Sequence, residues 1–317
     1  MSTNTYHLAF TLNKDYFPYL AVTLKSFCLY NPQQADTQWQ IHLITDSDKV
    51  FCTTFFSSII QDRDDVKIIV HQINVETYTR YSKSRYPIYT ILRAELPDIL
   101  LDVEKVLYLD TDVLFKGAIH ELFHFDMKRH STAMVRETEI KSYNYVYKHN
   151  LGHSKYYNSG VILMDLSMWR ANNNRQRFFD FLQTNFEKLA FPDQDAINVV
   201  FYNEIIELPL EYNITYHNLV DYKNYSSSQK EGIYNSLFSP KIVHYAACAP
   251  WDMTVPIHPY REDWWKVANT LSTNIPTTRR NSLKIRIILH AFFILRWIQG
   301  RPHNPSLKYL QRRLRKG

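Results

Sequence analysis

Two aspartates flank one residue in Asp110-Thr111-Asp112, directly after the apolar run Val106-Leu107-Tyr108-Leu109. Side chains alternate along a strand, so residues i and i+2 can point the same way. If the chain leaves the strand at Asp110, both carboxylates can converge on one hard cation. Mg2+ and Mn2+ prefer such oxygen ligands and tolerate an added imidazole. A bare Asp-x-Asp pair is equally the pattern of a solvated turn. The apolar Val113-Leu114-Phe115 that follows weighs against a turn, because carboxylates wedged between buried runs are costly unless a cation or donors compensate them. Other polar residues have ordinary structural roles when taken singly. Asp193-Gln194-Asp195 opens a helical segment, as N-cap and first-turn acids do. Asn158 and Ser159 precede a strand-like run, as turn residues do. Arg93 falls in a helical pattern, and His244 ends a short apolar run.

The elements that must position these residues alternate between strand and helix. Residues 8–12, 39–44, 66–70, 106–109 and 161–164 and Ile242–His244 read as strands, each short and rich in branched or aromatic side chains. Residues 19–27 and 195–202 carry apolar positions at helical spacing, and 88–96 reads as a helix stopped by Pro97. The polar stretch 213–240, which includes Ser226-Ser227-Ser228, reads as a long loop, and the core closes around Trp264-Trp265. Such alternation predicts βαβ units and a mostly parallel sheet flanked by helices. Ligands on these sheets sit at the carboxyl ends of the strands, which is where Asp110 and Asp112 lie.

The chain of 317 residues, with 45% apolar content, is long enough to bury a sizeable core. Its three cysteines, Cys28, Cys52 and Cys248, fit neither a disulfide framework nor a zinc module, so a reducing, cytoplasmic compartment is expected. The N-terminus has no signal-peptide pattern, and no run reaches the roughly 18 apolar residues of a spanning helix. Charge is unevenly spread. Of 37 Lys/Arg and 31 Asp/Glu, eleven basic and no acidic residues lie in 279–317, leaving 26 against 31 in 1–278. Within that tail, Ile287, Ile288, Ala291, Ile294, Leu295 and Ile298 share one helical face, interleaved with Lys284, Arg286 and Arg296. A basic amphipathic helix of this kind predicts an anchor on an anionic membrane surface. Its aliphatic density favours membrane over nucleic acid.

Four motifs occur in a recognisable order: Lys105-Val106-Leu107-Tyr108-Leu109-Asp110-Thr111-Asp112, Tyr157-Asn158-Ser159-Gly160-Val161, Asp193-Gln194-Asp195-Ala196-Ile197-Asn198, and His244-Tyr245 with Pro250-Trp251. Through them residues 6–266 resemble the glycosyltransferases of family 8, in particular the bacterial lipooligosaccharide and lipopolysaccharide galactosyl- and glucosyltransferases. The resemblance implies a GT-A type fold (Rossmann-like) over 1–266, with 267–317 as a basic C-terminal membrane-association region. It implies a UDP-hexose donor, a saccharide acceptor that is lipid-linked or on the cell surface, Mn2+ or Mg2+ as cofactor, and retention of anomeric configuration. It places the enzyme on the cytosolic face of the inner membrane. Carried over by residue, Asp110, Asp112 and His244 look like the metal ligands. Arg93, Asp110 and Thr111 match donor contacts, Asn158 and Ser159 sugar-hydroxyl contacts, and Asp193 and Gln194 the pair that faces the transferred hexose.

Two departures accompany the match. The family usually has Asp-Asp-Asn-Tyr after the first strand, where this chain has Asn13-Lys14-Asp15-Tyr16. Asn13 and Tyr16 are still expected at the donor, since an amide both donates and accepts. The segment from His244 to Pro250 is one residue short, has Ala247 in the glycine position, and lacks the lysine that would hold the diphosphate. A contact of that kind is worth roughly 1.5–3 kcal/mol. Two alternatives remain open at the level of sequence: a degenerate sugar-nucleotide binder, and a metal-free glycoside hydrolase using a carboxylate pair such as Asp110 with Asp193.

Overall fold

A computed structural model describes residues 3–82, 87–138, 155–220, 227–252, 255 and 258–277. Nine strands are defined: β1 (Asn4–Thr11), β2 (Thr37–Thr45), β3 (Val66–Gln72), β4 (Lys105–Leu109), β5 (Val113–Phe115), β6 (Thr132–Arg136), β7 (Tyr157–Asp165), β8 (Ile205–Glu207) and β9 (Ile242–His244). Seven form one sheet in the order β3-β2-β1-β4-β7-β6-β8. The first four are parallel, β7 runs antiparallel to both β4 and β6, and β6 and β8 are parallel. The expected GT-A type sheet is therefore present, with β7 as its reversed strand. A separate two-stranded sheet pairs β5 antiparallel with β9.

Alternation along β1 and β2 divides the core. Leu8, Phe10, Ile41 and Leu43 pack on one face with Leu20, Leu24 and Phe27 of the helix Phe17–Tyr30. Ala9 and Ile44 face the other side, with Ile91, Leu92, Trp169 and Phe178. A third cluster joins Leu114 and Val243 of the small sheet to Trp251, Tyr260 and Trp264. Tyr19 stacks on Trp251 at 3.8 Å between ring centroids, locking the small sheet to the helix Phe17–Tyr30. The polypeptide then stays on the core to Pro276, whose carbonyl accepts from the Tyr19 hydroxyl at 3.2 Å.

Several elements differ from their sequence-based expectation. The segment expected as a helix ending before Pro97 is a 3-10 helix, Ile88–Glu95, running into a short α-helix, Leu96–Ile99. Pro97 sits in the first turn of that helix, where its missing N–H costs nothing. The motif at 157–160 lies inside β7 rather than in a turn before it. The third motif belongs to a helix, Pro192–Val200, whose N-cap is Phe191, so Asp193 is a first-turn residue and not the cap. The stretch expected as a long loop contains two helices, Tyr216–Val220 and Ser227–Phe238. β6, β8 and the helix Lys49–Ile59 had no sequence-based expectation. The basic tail from 279 onward lies outside the described residues.

Across the three parallel strands runs a chain of imidazoles. His7 Nδ1 lies 3.0 Å from His42 Nε2, and His42 Nδ1 lies 2.9 Å from His71 Nε2. Burial lowers all three from the ordinary 6.5, and the flanking rings push the central His42 down to about 3. The unfolded chain takes up these protons near pH 6.5, and the folded chain only at lower pH. The stability these three contribute is therefore full above about pH 6.5 and falls as pH drops below it, with a slope approaching about 1.4 kcal/mol per pH unit for each histidine kept neutral. Thermal unfolding from pH 7.5 to 4.5 is expected to show this slope, and His42→Gln is expected to flatten it. An unchanged slope in that variant would remove the imidazole chain as its cause.

Candidate functional site

The acidic pair sits where β4 ends and β5 begins. Asp110 N–H still bonds to the Gly160 carbonyl of β7 at 2.8 Å, so β4 is held in register up to the first carboxylate. The next turn is fastened from the buried helix. Thr23 Oγ1 lies 2.9 Å from the Thr111 carbonyl and 2.7 Å from that of Val113, and Ser26 Oγ accepts from Phe115 N–H at 3.0 Å. The β5–β9 register places Val113 opposite His244, and Tyr245 N–H bonds to the Asp112 carbonyl at 2.9 Å. A residue 132 positions away is thereby set beside the pair. His244 Nε2 lies 3.3 Å from Asp112 Oδ1 and 3.6 Å from Asp110 Oδ2. One ligand atom from each of the three falls within 4.8 Å of the others. Two hard oxygens and one imidazole nitrogen suit Mg2+ or Mn2+.

The orientation of His244 is dictated from a distance. Asn158 Nδ2 donates to the Glu137 carboxylate at 2.9 Å, and a carboxylate can only accept. Asn158 Oδ1 must then accept, and it does so from Gly160 N–H at 3.0 Å and from Asn213 Nδ2 at 2.9 Å. Asn213 Oδ1 in turn faces His244 Nδ1 at 3.0 Å. The relay places the proton on Nδ1 and leaves the Nε2 lone pair for the acidic pair. Burial alone would lower the pKa of His244, but Asp112 and Asp110 outweigh it and raise it. Burial raises that of Asp110, aided by Asp112 and Asp193 and opposed by Arg93 and His244. The raised values describe a cluster that gains from a positive charge at its centre.

Arg93 is not an exposed helical residue; it is 1% exposed. Its Nη2 lies 3.0 Å from Asp110 Oδ1 and 3.2 Å from Asp193 Oδ2. Its Nε donates to the Thr90 carbonyl at 2.6 Å, its Nη1 donates to the Ser159 carbonyl, and its guanidinium lies 4.3 Å from the Tyr108 ring centroid. Ser159 Oγ donates to Asp193 Oδ2 at 2.8 Å, and Ser159 N–H to Gln194 Oε1 at 3.0 Å. Asn198 ties the helix Pro192–Val200 to β7 by accepting from Tyr157 N–H at 2.7 Å and donating to the Tyr157 and Gln194 carbonyls. The helix start is secured by Asp195, whose Oδ2 accepts from Ala190 and Phe191 N–H at 2.8 and 3.0 Å.

A cavity of about 780 Å3 opens over this cluster, and all twelve site residues expected from the sequence line it: Asn13, Tyr16, Arg93, Asp110, Thr111, Asp112, Asn158, Ser159, Asp193, Gln194, His244 and Ala247. Asn13 Oδ1 accepts from Asp15 N–H at 3.1 Å, fixing the turn that carries Tyr16. Ala247 has φ 59°, the left-handed region that favours glycine. Three residues of the site escaped sequence reasoning. Glu137 and Asn213 lie in stretches with no motif. Gly160 stood inside a motif but had no role attached to it. A Cβ at Gly160 would meet His244 Cε1 at 2.0 Å, so glycine here makes room for the imidazole. Gly160→Ala is expected to displace His244 and weaken Mn2+ binding by roughly tenfold or more. Calorimetric Mn2+ titration of a variant with an unchanged circular dichroism spectrum checks this. Wild-type affinity would sever Gly160 from the cluster.

The sequence profile of Glycosyl transferase family 8 matches residues 7–254. A Haemophilus influenzae protein is 23% identical over 225 residues, which are 67% of this chain and 64% of that protein, so this chain spans just under two thirds of its length. The lipopolysaccharide 1,2-glucosyltransferase of Escherichia coli strain K12 is 25% identical over 258 residues, covering 77% of this chain and 72% of the enzyme. Among solved structures, galactosyltransferase LgtC in complex with donor and acceptor sugar analogs superposes with a TM-score of 0.70 at 20% identity, covering 85% of this chain and 97% of that one. That likeness concerns the fold. With the profile spanning most of its length, this chain belongs to glycosyltransferase family 8.

Proposed function

We propose that this member of the family is a retaining hexosyltransferase that moves galactose or glucose from a UDP-sugar to a saccharide of lipopolysaccharide or another cell-surface glycan. The observation that carries the reading is the convergence of Asp110, Asp112 and His244 at the floor of a cavity of about 780 Å3. These three residues would hold Mn2+ or Mg2+. The bound ion supplies Lewis-acid stabilisation of the charge that builds on the departing diphosphate. Asn13 and Tyr16 line the cavity with the amide and ring suited to a uracil base. Arg93 bridges Asp110 and Asp193 and fixes their directions, and Asp193 and Gln194 face the hexose. The Asp193 carboxylate is engaged by Arg93 and Ser159, and Gln194 is an uncharged amide, so neither suits attack on the anomeric carbon. That favours front-face attack, in which the acceptor hydroxyl adds on the side the diphosphate leaves.

The name of the Escherichia coli relative supports a lipopolysaccharide-type acceptor. Residues 1–266 form the catalytic domain in this reading. Residues 267–317 form the membrane-association region, whose first part, to Pro276, lies against the core. Among the described residues no helix is long and apolar enough to cross a membrane. Contact with an anionic inner-membrane surface would fall to the basic residues of 279–317.

With Mn2+ present, UDP release is expected from UDP-galactose or UDP-glucose, and chelation of the metal is expected to abolish it. A glycoside hydrolase would continue under chelation, since it needs no metal. Asp112→Ala is expected to lower turnover by about a hundredfold or more. Background release from every UDP-hexose tested, or a normal rate in that variant, would defeat the reading. Deleting 279–317 is expected to move the protein from the membrane fraction to the supernatant while leaving Mn2+-dependent UDP release in place. Undiminished sedimentation with membranes would assign the anchoring elsewhere.

A further inference from the structure

The two oxygens of the Asp110 carboxylate have different surroundings. Oδ1 accepts from the Tyr108 hydroxyl at 2.9 Å and from Arg93 Nη2 at 3.0 Å. Oδ2 is the oxygen on the His244 side, 3.6 Å from Nε2. Rotation about the bond to a carboxylate is roughly two-fold, so nothing in Asp110 itself selects which oxygen meets the cluster. Repulsion from Asp112 would also turn the group outward. The donors on Oδ1 make the selection. Arg93 divides its guanidinium between Asp110, Asp193 and the carbonyls of Thr90 and Ser159. The Tyr108 hydroxyl has two partners among the described residues, Asp110 and Thr11.

The sense of this short relay is forced. A carboxylate can only accept, so the Tyr108 O–H points at Asp110. The phenolic oxygen then accepts from Thr11 Oγ1, 3.0 Å away. Strand register brings the two together. Ala9 of β1 pairs with Tyr108 of β4, and Thr11 projects to the same side as Ala9 at the end of β1. Tyr108 is buried, packed with Ala9, Ile91 and Ile162, and its ring lies 4.3 Å from the Arg93 guanidinium. Burial pushes its phenol well above the usual 10, so the hydroxyl keeps the proton it donates. Both Thr11 and Tyr108 line the cavity.

We infer that Tyr108 is a positioning residue for the Asp110, Asp112 and His244 cluster, and that Thr11 acts through it, the pair turning Asp110 so that Oδ2 faces His244. The inference rests on the metal reading proposed above and adds to it the residues that orient one of its ligands. The test is calorimetric Mn2+ affinity of the full chain, with and without UDP, beside the thermal unfolding midpoint of the metal-free protein. Tyr108→Phe removes the hydroxyl and keeps the ring, and is expected to weaken Mn2+ binding about tenfold. Thr11→Val is expected to weaken it about threefold, whereas Thr11→Ser, which keeps the donor, stays within about twofold of wild type. The variant carrying both Thr11→Val and Tyr108→Phe is expected to match Tyr108→Phe alone, because Thr11 has no other route to Asp110. A merely structural role would lower the unfolding midpoint and leave Mn2+ affinity unchanged, and that result overturns the inference. Losses that multiply in the double variant overturn the part assigned to Thr11. Should Tyr108→Phe fail to fold, the Thr11 variants decide: weaker binding with valine than with serine upholds the relay, and equal affinities overturn it. Wild-type protein that binds no Mn2+ under either condition overturns the metal reading itself, a failure distinct from variants that bind Mn2+ as tightly as wild type.

Discussion

The site depends on holding two like charges together. Asp110 and Asp112 are 28% and 23% exposed, partly withdrawn from water, and both approach one imidazole nitrogen. Two unit charges 4 Å apart repel by about 4 kcal/mol at the effective dielectric of a protein surface. Left alone, the turn between β4 and β5 would relax outward until the carboxylates were solvated. Three restraints oppose this. The backbone of Asp110 is tied to β7, the carbonyls of Thr111 and Val113 are tied to Thr23, and the Asp110 carboxylate is bonded by Arg93 and Tyr108. The arrangement stores electrostatic energy that a bound cation would release, which makes the cluster a candidate metal site and a poor purely structural one.

The small β5–β9 sheet follows from the same need. Four parallel strands can deliver side chains to their carboxyl ends, but only from segments near those ends. The third candidate ligand, His244, arrives from a distant part of the chain, and three paired residues suffice because the β9 side is secured by the aromatic cluster around Trp251, Tyr260 and Trp264. Orientation comes from the opposite direction. Glu137, Asn158 and Asn213 form a polar relay in which every member has its partners, so its donor and acceptor senses are forced in sequence from the carboxylate to the histidine. Networks of this type are worth keeping only when complete, since each orphaned buried group costs about 1–3 kcal/mol.

The parts of this arrangement that were legible in the sequence are the local ones. Asp110 and Asp112 could be read because an apolar strand precedes them by one residue, and the parallel half of the sheet because its strands are short, branched and regularly spaced. Asn158 and Ser159 were seen as polar residues beside a strand, but their pairing partners on the helix Pro192–Val200 and in the 137 region are remote. Single-residue patterns do not report remote hydrogen bonds. The helices at 216–220 and 227–238 escaped because their composition is that of a loop; tertiary contacts, not propensity, hold them. Arg93 was found by resemblance, and its physical role was not, because a guanidinium that bridges two carboxylates is indistinguishable in sequence from one in solvent.

Gly160 and Ala247 show how two kinds of backbone constraint differ in what they demand. At 160 the constraint is space: any Cβ would overlap the His244 ring at 2.0 Å, and relief requires moving a ring already fixed by Asn213. At 247 the constraint is torsional, a φ of 59° that costs an L-residue roughly 1–2 kcal/mol. The first cost rises steeply with any side chain and falls directly on the Asp110, Asp112 and His244 cluster. The second is bounded, and the fold can absorb it through the packing of Tyr245 and Trp251 on either side. Glycine is accordingly irreplaceable in β7, while alanine stands in the turn after His244, and the wall of the cavity there becomes apolar.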